Sequence, residues 1–273
     1  MTSGFSQAVV EIEEALVGHW SHFGHWLRGE LVEEAGTLRY ETPIAQLPYN
    51  GVIRTRIADD PDAVISSVLN AFRSRNVSCL WWHHPSATPA DLGSLLAARG
   101  LAAVEHVAGM SIDLADVERP EPATPGVRYA QVVDDDAMRH YADLIVSYWE
   151  LSEESQGLIE ELNRYWGPSN EQIHRWIALT DEGNPIGKVL LSLAAPPGVA
   201  AIYGMSVRPE ARGKGIAGAL TDIVLRRAKQ LGRRRVVLHS SQMAVGVYER
   251  AGFSKQCDMT VYADAPLWAS RAH

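Results

Sequence analysis

The sequence predicts an α/β fold made of two related halves, and three observations predict it. An apolar run over 201–207 leads into a loop rich in glycine and cations. The residues after that loop are apolar at helical spacing, with Ile216, Ala219, Leu220, Ile223, Val224 and Leu231 along one stripe. Three prolines within 118–125 cannot continue a helix or a central strand, so the chain divides near residue 120. Finally, Leu95-Leu96-Ala97-Ala98-Arg99-Gly100-Leu101 echoes Val247-Tyr248-Glu249-Arg250-Ala251-Gly252-Phe253. Each segment follows an apolar strand and a polar loop, and each precedes a strand with an internal methionine, Met110 or Met259.

The elements follow in order. An acidic helical stretch opens the chain and carries His19, Trp20, His22, His25 and Trp26. Histidines at i, i+3 and i+6 drift around a helix and suit three metal ligands poorly, so no metal is expected and the cluster reads as a core or interdomain aromatic face. Strands are expected at 51–57 and 80–82, with a helix over 63–73 between them. The junction Ala58-Asp59-Asp60-Pro61-Asp62 has no glycine, and its three carboxylates would repel a phosphate. His83-His84-Pro85 ends a strand and reads as a cleft lining or as a buried or surface loop. Beyond the prolines, 127–133 reads as a strand. Asp134, Asp135 and Asp136 offer caps for a helix to about 151. A second helix from about 152 stops before Gly167-Pro168. Strands at 176–179 and 186–194 flank turn residues 181–185, and a turn at 196–198 opens the strand that ends at Val207. After the loop helix come a strand at 236–239, a helix at 244–251 and a last strand near 256–262.

Composition narrows the function. The 273 residues are 46% hydrophobic, ample for a packed core, and carry a formal net charge of −8. That balance argues against a nucleic-acid partner. The cluster Arg226, Arg227, Lys229, Arg233, Arg234 and Arg235 is expected to mark the exposed face and end of one helix, favourable near its C-terminal dipole. Two cysteines, Cys79 and Cys257, make no disulfide framework and fit a reducing compartment. The first residues do not form a leader, and no apolar run approaches the roughly 18 residues that span a bilayer. A soluble cytoplasmic protein with no membrane partner is expected.

The chemistry is carried by Val207-Arg208-Pro209-Glu210-Ala211-Arg212-Gly213-Lys214-Gly215-Ile216-Ala217. A strand turns into a helix here, where unpaired N–H groups and the helix dipole favour an anion. Gly213 and Gly215 permit close backbone approach, and Arg212 and Lys214 add charge. The spacing does not match a nucleotide-triphosphate loop. Gly213-x-Gly215-x-x-Gly218 does match the dinucleotide spacing, but the preceding strand lies late in the chain and no βαβ unit follows. Arg212-x-x-Gly215-x-Ala217 resembles instead the signature of the GNAT superfamily of acyl-CoA N-acyltransferases. Ser241-Gln242-Met243-Ala244-Val245-Gly246-Val247-Tyr248-Glu249-Arg250-Ala251-Gly252-Phe253 is similar to a second segment of that family, with Ser241 where the family often has Asn.

The resemblance implies two GNAT-like domains, each a mixed, mostly antiparallel sheet flanked by helices. Residues 1–118 would be a degenerate copy, 119–125 a linker and 126–273 the active copy. Leu96 stands where the active copy has Tyr248. The implied co-substrate is acetyl-CoA, with no metal. Arg212, Gly213, Lys214, Gly215, Ile216 and Ala217 would hold its pyrophosphate. Met205, Ser206 and Val207 would turn free backbone N–H groups toward the developing oxyanion. Ser241 would orient CoA or a water, and Tyr248 would protonate the leaving thiolate. Glu150, Glu153 and Glu154 border the implied acceptor site and are the candidate bases, Glu150 foremost; a solvated helix face is the alternative. Tyr203 lies on the strand before the loop. Tyr148, Trp149, Tyr165 and Trp166 read as an acceptor wall or as core. The activity implied is acetylation of a primary amine on a small molecule by direct attack on the thioester. The rivals are a non-catalytic acyl-CoA-binding protein and an acetyltransferase acting on a protein lysine or N-terminus. The oligomeric state stays open.

Overall fold

The computed structural model describes residues 4–115, 117–119, 121–149, 152–168 and 170–264, with the backbone alone for 147–149. The N-terminal half runs α1 (Gln7–Gly24), β1 (Glu30–Glu34), β2 (Thr37–Glu41), β3 (Gly51–Thr55), α2 (Pro61–Ser74), β4 (Leu80–His83), α3 (Leu92–Ala97) and β5 (Ala102–Asp113). The C-terminal half runs β6 (Val127–Gln131), α4 (Asp135–Trp149), α5 (Glu153–Trp166), β7 (Ile173–Thr180), β8 (Pro185–Ser192), β9 (Val199–Val207), α6 (Ile216–Gln230), β10 (Arg235–Ser241), α7 (Val245–Arg250) and β11 (Ser254–Ala263). Asp134 caps α4 through the Ala137 N–H at 2.8 Å, as its sequence predicts.

The two halves repeat one plan. In each, an antiparallel run of strands ends in a strand that pairs in parallel with the next, β3 with β4 and β9 with β10, across a helix. The sheets do not stand apart. They merge into one 11-stranded sheet of order β1-β2-β3-β4-β11-β5-β10-β9-β8-β7-β6. The merger is a reciprocal exchange: β5 of the first half lies between β10 and β11 of the second, and β11 lies between β4 and β5 of the first. Both faces of the sheet are covered. Along β9 and β10, Ala201 and Val237 point to a core layer under α1 and α5, while Ile202 and Leu238 point to the layer under α6.

Three expectations change. The hairpin of β1 and β2 was not anticipated; it turns through Ala35 and Gly36, both at positive φ. Strand β7 begins three residues before the expected 176, because His174 and Arg175 continue the strand and Arg175 is 1% exposed. The basic cluster is not all solvated helix face. Arg234 and Arg235 both pair with the buried Glu11 of α1, and Arg235 also pairs with Asp113 at 2.8 Å, so these cations tie the halves together. Lys229 donates to the Val117 carbonyl at 2.8 Å.

Candidate active site

The site is built where β9 and β10 part. Their parallel register stops at Ile202↔Leu238, although β9 runs to Val207 and β10 to Ser241. On its other side β9 bulges. Lys188 of β8 faces Ser206 and Leu190 faces Tyr203, so Gly204 and Met205 together oppose Val189. Gly204 sits at φ +59°, which favours glycine, and its carbonyl accepts from Lys188 Nζ at 2.7 Å.

A groove of about 580 Å³ opens in this gap. Met205, Ser206 and Val207 form one wall, Arg212, Gly213, Gly215, Ile216 and Ala217 a second, and Ser241, Ala244 and Val247 a third. These expected residues therefore converge. Lys214 is exposed and does not line the groove. Gly215 begins α6 at φ +81° without a side-chain cap, so the first N–H groups of α6 have no side-chain acceptor there. A Cβ at Gly213, Gly215 or Gly218 would meet nothing within 4 Å, so the backbone is open to a ligand. Uncapped donors, open glycines and cations fit a pyrophosphate. The matching start of α2 does not. There the Asp60 carboxylate accepts from the Ala63 N–H at 3.1 Å, placing an anion where a phosphate would go.

Arg119 is a site residue that sequence reasoning missed. It lines the groove, donates to the Ala251 carbonyl and pairs with Asp222 of α6 at 3.4 Å. Its place among the prolines gave it no signal of its own. Tyr248 does not line the groove. It is 5% exposed and packs edge-on against Phe253 at 5.7 Å, and burial raises its pKa. Its neighbours Val247 and Ala251 do line the groove.

The opposite face of the bulge is roofed by α1, α4 and α5. His19 of α1 lies flat on Tyr203 at 3.9 Å, and Tyr203 faces His239 at 5.8 Å. Burial first, then nearby His84, pulls His239 down to about 3, so its imidazole is neutral. Burial holds the Tyr203 hydroxyl protonated. His84 is buried and His83 half-buried at the end of β4, while Trp82 meets His239 at 5.8 Å across the junction of the halves. Glu153 and Glu154 are exposed in the first turn of α5, the solvated-face alternative. Glu150 lies outside the described residues, as do the side chains of Tyr148 and Trp149. Trp166 packs on Phe23 at 5.1 Å, and Tyr165 is exposed with its hydroxyl on the His25 carbonyl. Among the described residues no cluster of His, Cys, Asp and Glu is placed to hold a metal, and no helix is long and apolar enough to cross a membrane.

Residues 138–253, from α4 to the end of the second motif, match the Acetyltransferase (GNAT) family. The family match thus falls on the C-terminal half, which carries both motifs. The mycothiol acetyltransferase of Geodermatophilus obscurus is 38% identical over 63 residues, covering 22% of this chain and 20% of the relative. That of Mycobacterium avium is 28% identical over 207 residues, covering 68% of this chain and 64% of the relative. The chain thus spans between a fifth and just under two thirds of these curated relatives. A GCN5-related N-acetyltransferase from Kribbella flavida shares the fold at a TM-score of 0.68 and 16% identity, over 92% of this chain and 95% of that one. A tandem GNAT protein from the clavulanic acid biosynthesis pathway shares it at 0.59 and 15% identity, over 93% of each chain. The two-part plan is therefore found in another GNAT fold.

Proposed function

We propose that this chain transfers the acetyl group of acetyl-CoA to a primary amine of a small molecule. One observation carries the reading: β9 parts from β10 beside the uncapped, glycine-lined start of α6. The N–H groups of 216–218 and the cations Arg212 and Arg119 are arranged to receive the pyrophosphate, and Ser241 borders the groove at the end of β10. The backbone of 205–207, unpaired toward β10, is the segment that would stabilise the oxyanion as an amine attacks the thioester carbonyl. Donors of this kind contribute about 3–4 kcal/mol. As the tetrahedral centre collapses, we assign the proton for the departing thiolate to Tyr248, whose neighbours Val247 and Ala251 flank the groove and whose buried hydroxyl must turn toward it to act.

A small acceptor is favoured over a protein because α1, α4 and α5 cover the face from which it must enter. We assign acetyl-CoA binding to residues 126–273 together with Arg119 of the linker 119–125, and read 1–118 as a GNAT-like copy without a phosphate loop. The capped start of α2 supports this. Titration calorimetry with acetyl-CoA is expected to give one site per chain, and CoA release is expected with a member of a primary-amine panel. Two sites per chain would overturn the assignment to one half. Binding of acetyl-CoA with no acetylation of any amine would favour the non-catalytic rival.

A further inference from the structure

Arg175 of β7 is 1% exposed. Its Nη1 donates to the Gly167 carbonyl at 3.0 Å, but its Nη2, also buried, has no partner among the described residues. Two rings flank the guanidinium, Tyr141 at 5.8 Å and Trp166 at 6.0 Å. No carboxylate among the described residues pairs with it within 4 Å. A second buried cation, Lys188, lies on the same Tyr141 ring at 5.2 Å and among the described residues has only the Gly204 carbonyl. Two buried cations without an acid are costly, and aromatic faces do not replace a hydrogen-bonded anion.

The place of Arg175 gives this charge a use. Arg175 faces Leu190, and Leu190 faces Tyr203, so the three form one row across β7, β8 and β9. Two strand spacings put Arg175 about 10 Å from Tyr203, next to the bulge at Gly204. On the same face of the sheet, Tyr203 Oη and His19 Nδ1 are also buried with no hydrogen-bond partner among the described residues. Burial first, then His22, His239 and Arg175, keeps His19 neutral, so it offers no second charge. A free guanidinium edge at one end and the bulge at the other describe a molecule with an anion and an amine a few bonds apart.

We propose that the acceptor carries a carboxylate beside its amine, as an amino acid does, and that Arg175 receives that carboxylate. The planar fork of arginine matches a carboxylate in two parallel hydrogen bonds. The proposal rests on the acetyltransferase reading, and the test separates the two. Amines are supplied with acetyl-CoA in matched sets: an amino acid, its primary carboxamide and the decarboxylated amine, for side chains of several sizes. Turnover is expected to favour the carboxylate member of a set by about 10–100-fold in kcat/KM. Arg175→Met is expected to remove that preference by lowering the rate for the carboxylate member far more than for its carboxamide, with acetyl-CoA affinity near wild type. Arg175→Lys, which keeps the charge and loses the fork, is expected to fall between. A parallel arm measures binding of N-acetyl amino acids against their N-methylamides to the CoA-loaded protein by calorimetry, so turnover is not required. If carboxylates are neither preferred as substrates nor bound in an Arg175-dependent way, the proposal fails. A uniform loss across all acceptors in Arg175→Met also overturns it, leaving Arg175 a structural cation. Failure of acetyl-CoA itself to bind would instead overturn the underlying acetyltransferase reading.

Discussion

Replacing Lys188 by methionine is expected to make the free protein more stable at neutral pH. The ammonium is 5% exposed, and burial pulls its pKa from 10.5 down to about 8. That drop amounts to roughly 3 kcal/mol against the charged form in the fold. Methionine is similar in length, removes the charge and keeps contact with Tyr141. The loss on the other side is the donor to the Gly204 carbonyl, about 1–2 kcal/mol, softened because Gly204 is exposed and water can replace the bond. The net gain is roughly 1–2 kcal/mol at pH 7, or a rise in Tm of about 2–6 °C for a chain of this size. The pH dependence identifies the cause. Between pH 8 and 10.5 the unfolded chain holds the Lys188 proton and the folded chain has released it, so wild-type stability rises through this window. Below pH 8 the penalty is complete, and above 10.5 it has gone. The advantage of Lys188→Met should therefore shrink as pH rises from 8 toward 10. Urea denaturation of both proteins at pH 7, 8.5 and 9.5 measures it. A methionine variant less stable than wild type at pH 7, or a difference that ignores pH, would refute the reasoning.

Three other outcomes are expected. Gly215→Glu places a side chain at φ +81° and a carboxylate in the groove, at a cost near 1–2 kcal/mol, so the fold should survive while acetyl-CoA affinity falls below detection in calorimetry. Tyr248→Phe keeps the packing on Phe253 and removes the hydroxyl; kcat should drop by about 10²–10⁴ with acetyl-CoA affinity near wild type, and unchanged turnover under rate-limiting chemistry would leave the thiolate to water. A protease site placed within 121–124 should yield two fragments that co-elute on gel filtration until denaturant is added, because β5 pairs with β10 and β11 along its length; separation in native buffer would contradict the exchanged sheet.

The helix α6, the strands leading to it and the groove wall from Arg212 to Ala217 were legible because local rules set them: apolar period, glycine at positive φ and uncapped donors. Arg175 and Lys188 were not legible. A cation inside a strand reads as an outward-facing residue, and only packing shows that α1, α4 and α5 cover that face, leaving Arg175 1% and Lys188 5% exposed. The exchange of β5 and β11 was also hidden. Each strand carries an internal methionine, Met110 or Met259, and nothing local says which half supplies a strand's neighbours. For Tyr248, motif position predicts a group at the thioester, while the fold puts its ring in the core beside Phe253. The two statements differ because a spacing fixes where a residue lies on a helix and not how deeply that helix sits.

The exchanged strands give the N-terminal half a structural role in the C-terminal half's sheet. Without β5, β10 would present an open edge through all seven of its residues, and β11 would lose the strand it follows from Ser254 to Ala263. The first half also supplies α1, whose His19 stacks on Tyr203 and whose Glu11 holds Arg234 and Arg235 at the start of β10. The His19 contact lies on the side of the bulge proposed for the acceptor and the Glu11 pairs fix the far end of β9 and β10, whereas the groove proposed for acetyl-CoA draws its walls from residues after 118. The capped start of α2 is consistent with this division, since a half relieved of holding a phosphate can close its helix with Asp60. Substitutions in α1 around His19 should therefore alter acceptor choice and leave acetyl-CoA affinity in place, measured as KM for the two substrates on one variant such as His19→Ala. A matched rise in both KM values would mean that the first half acts on the whole fold and not on the acceptor wall.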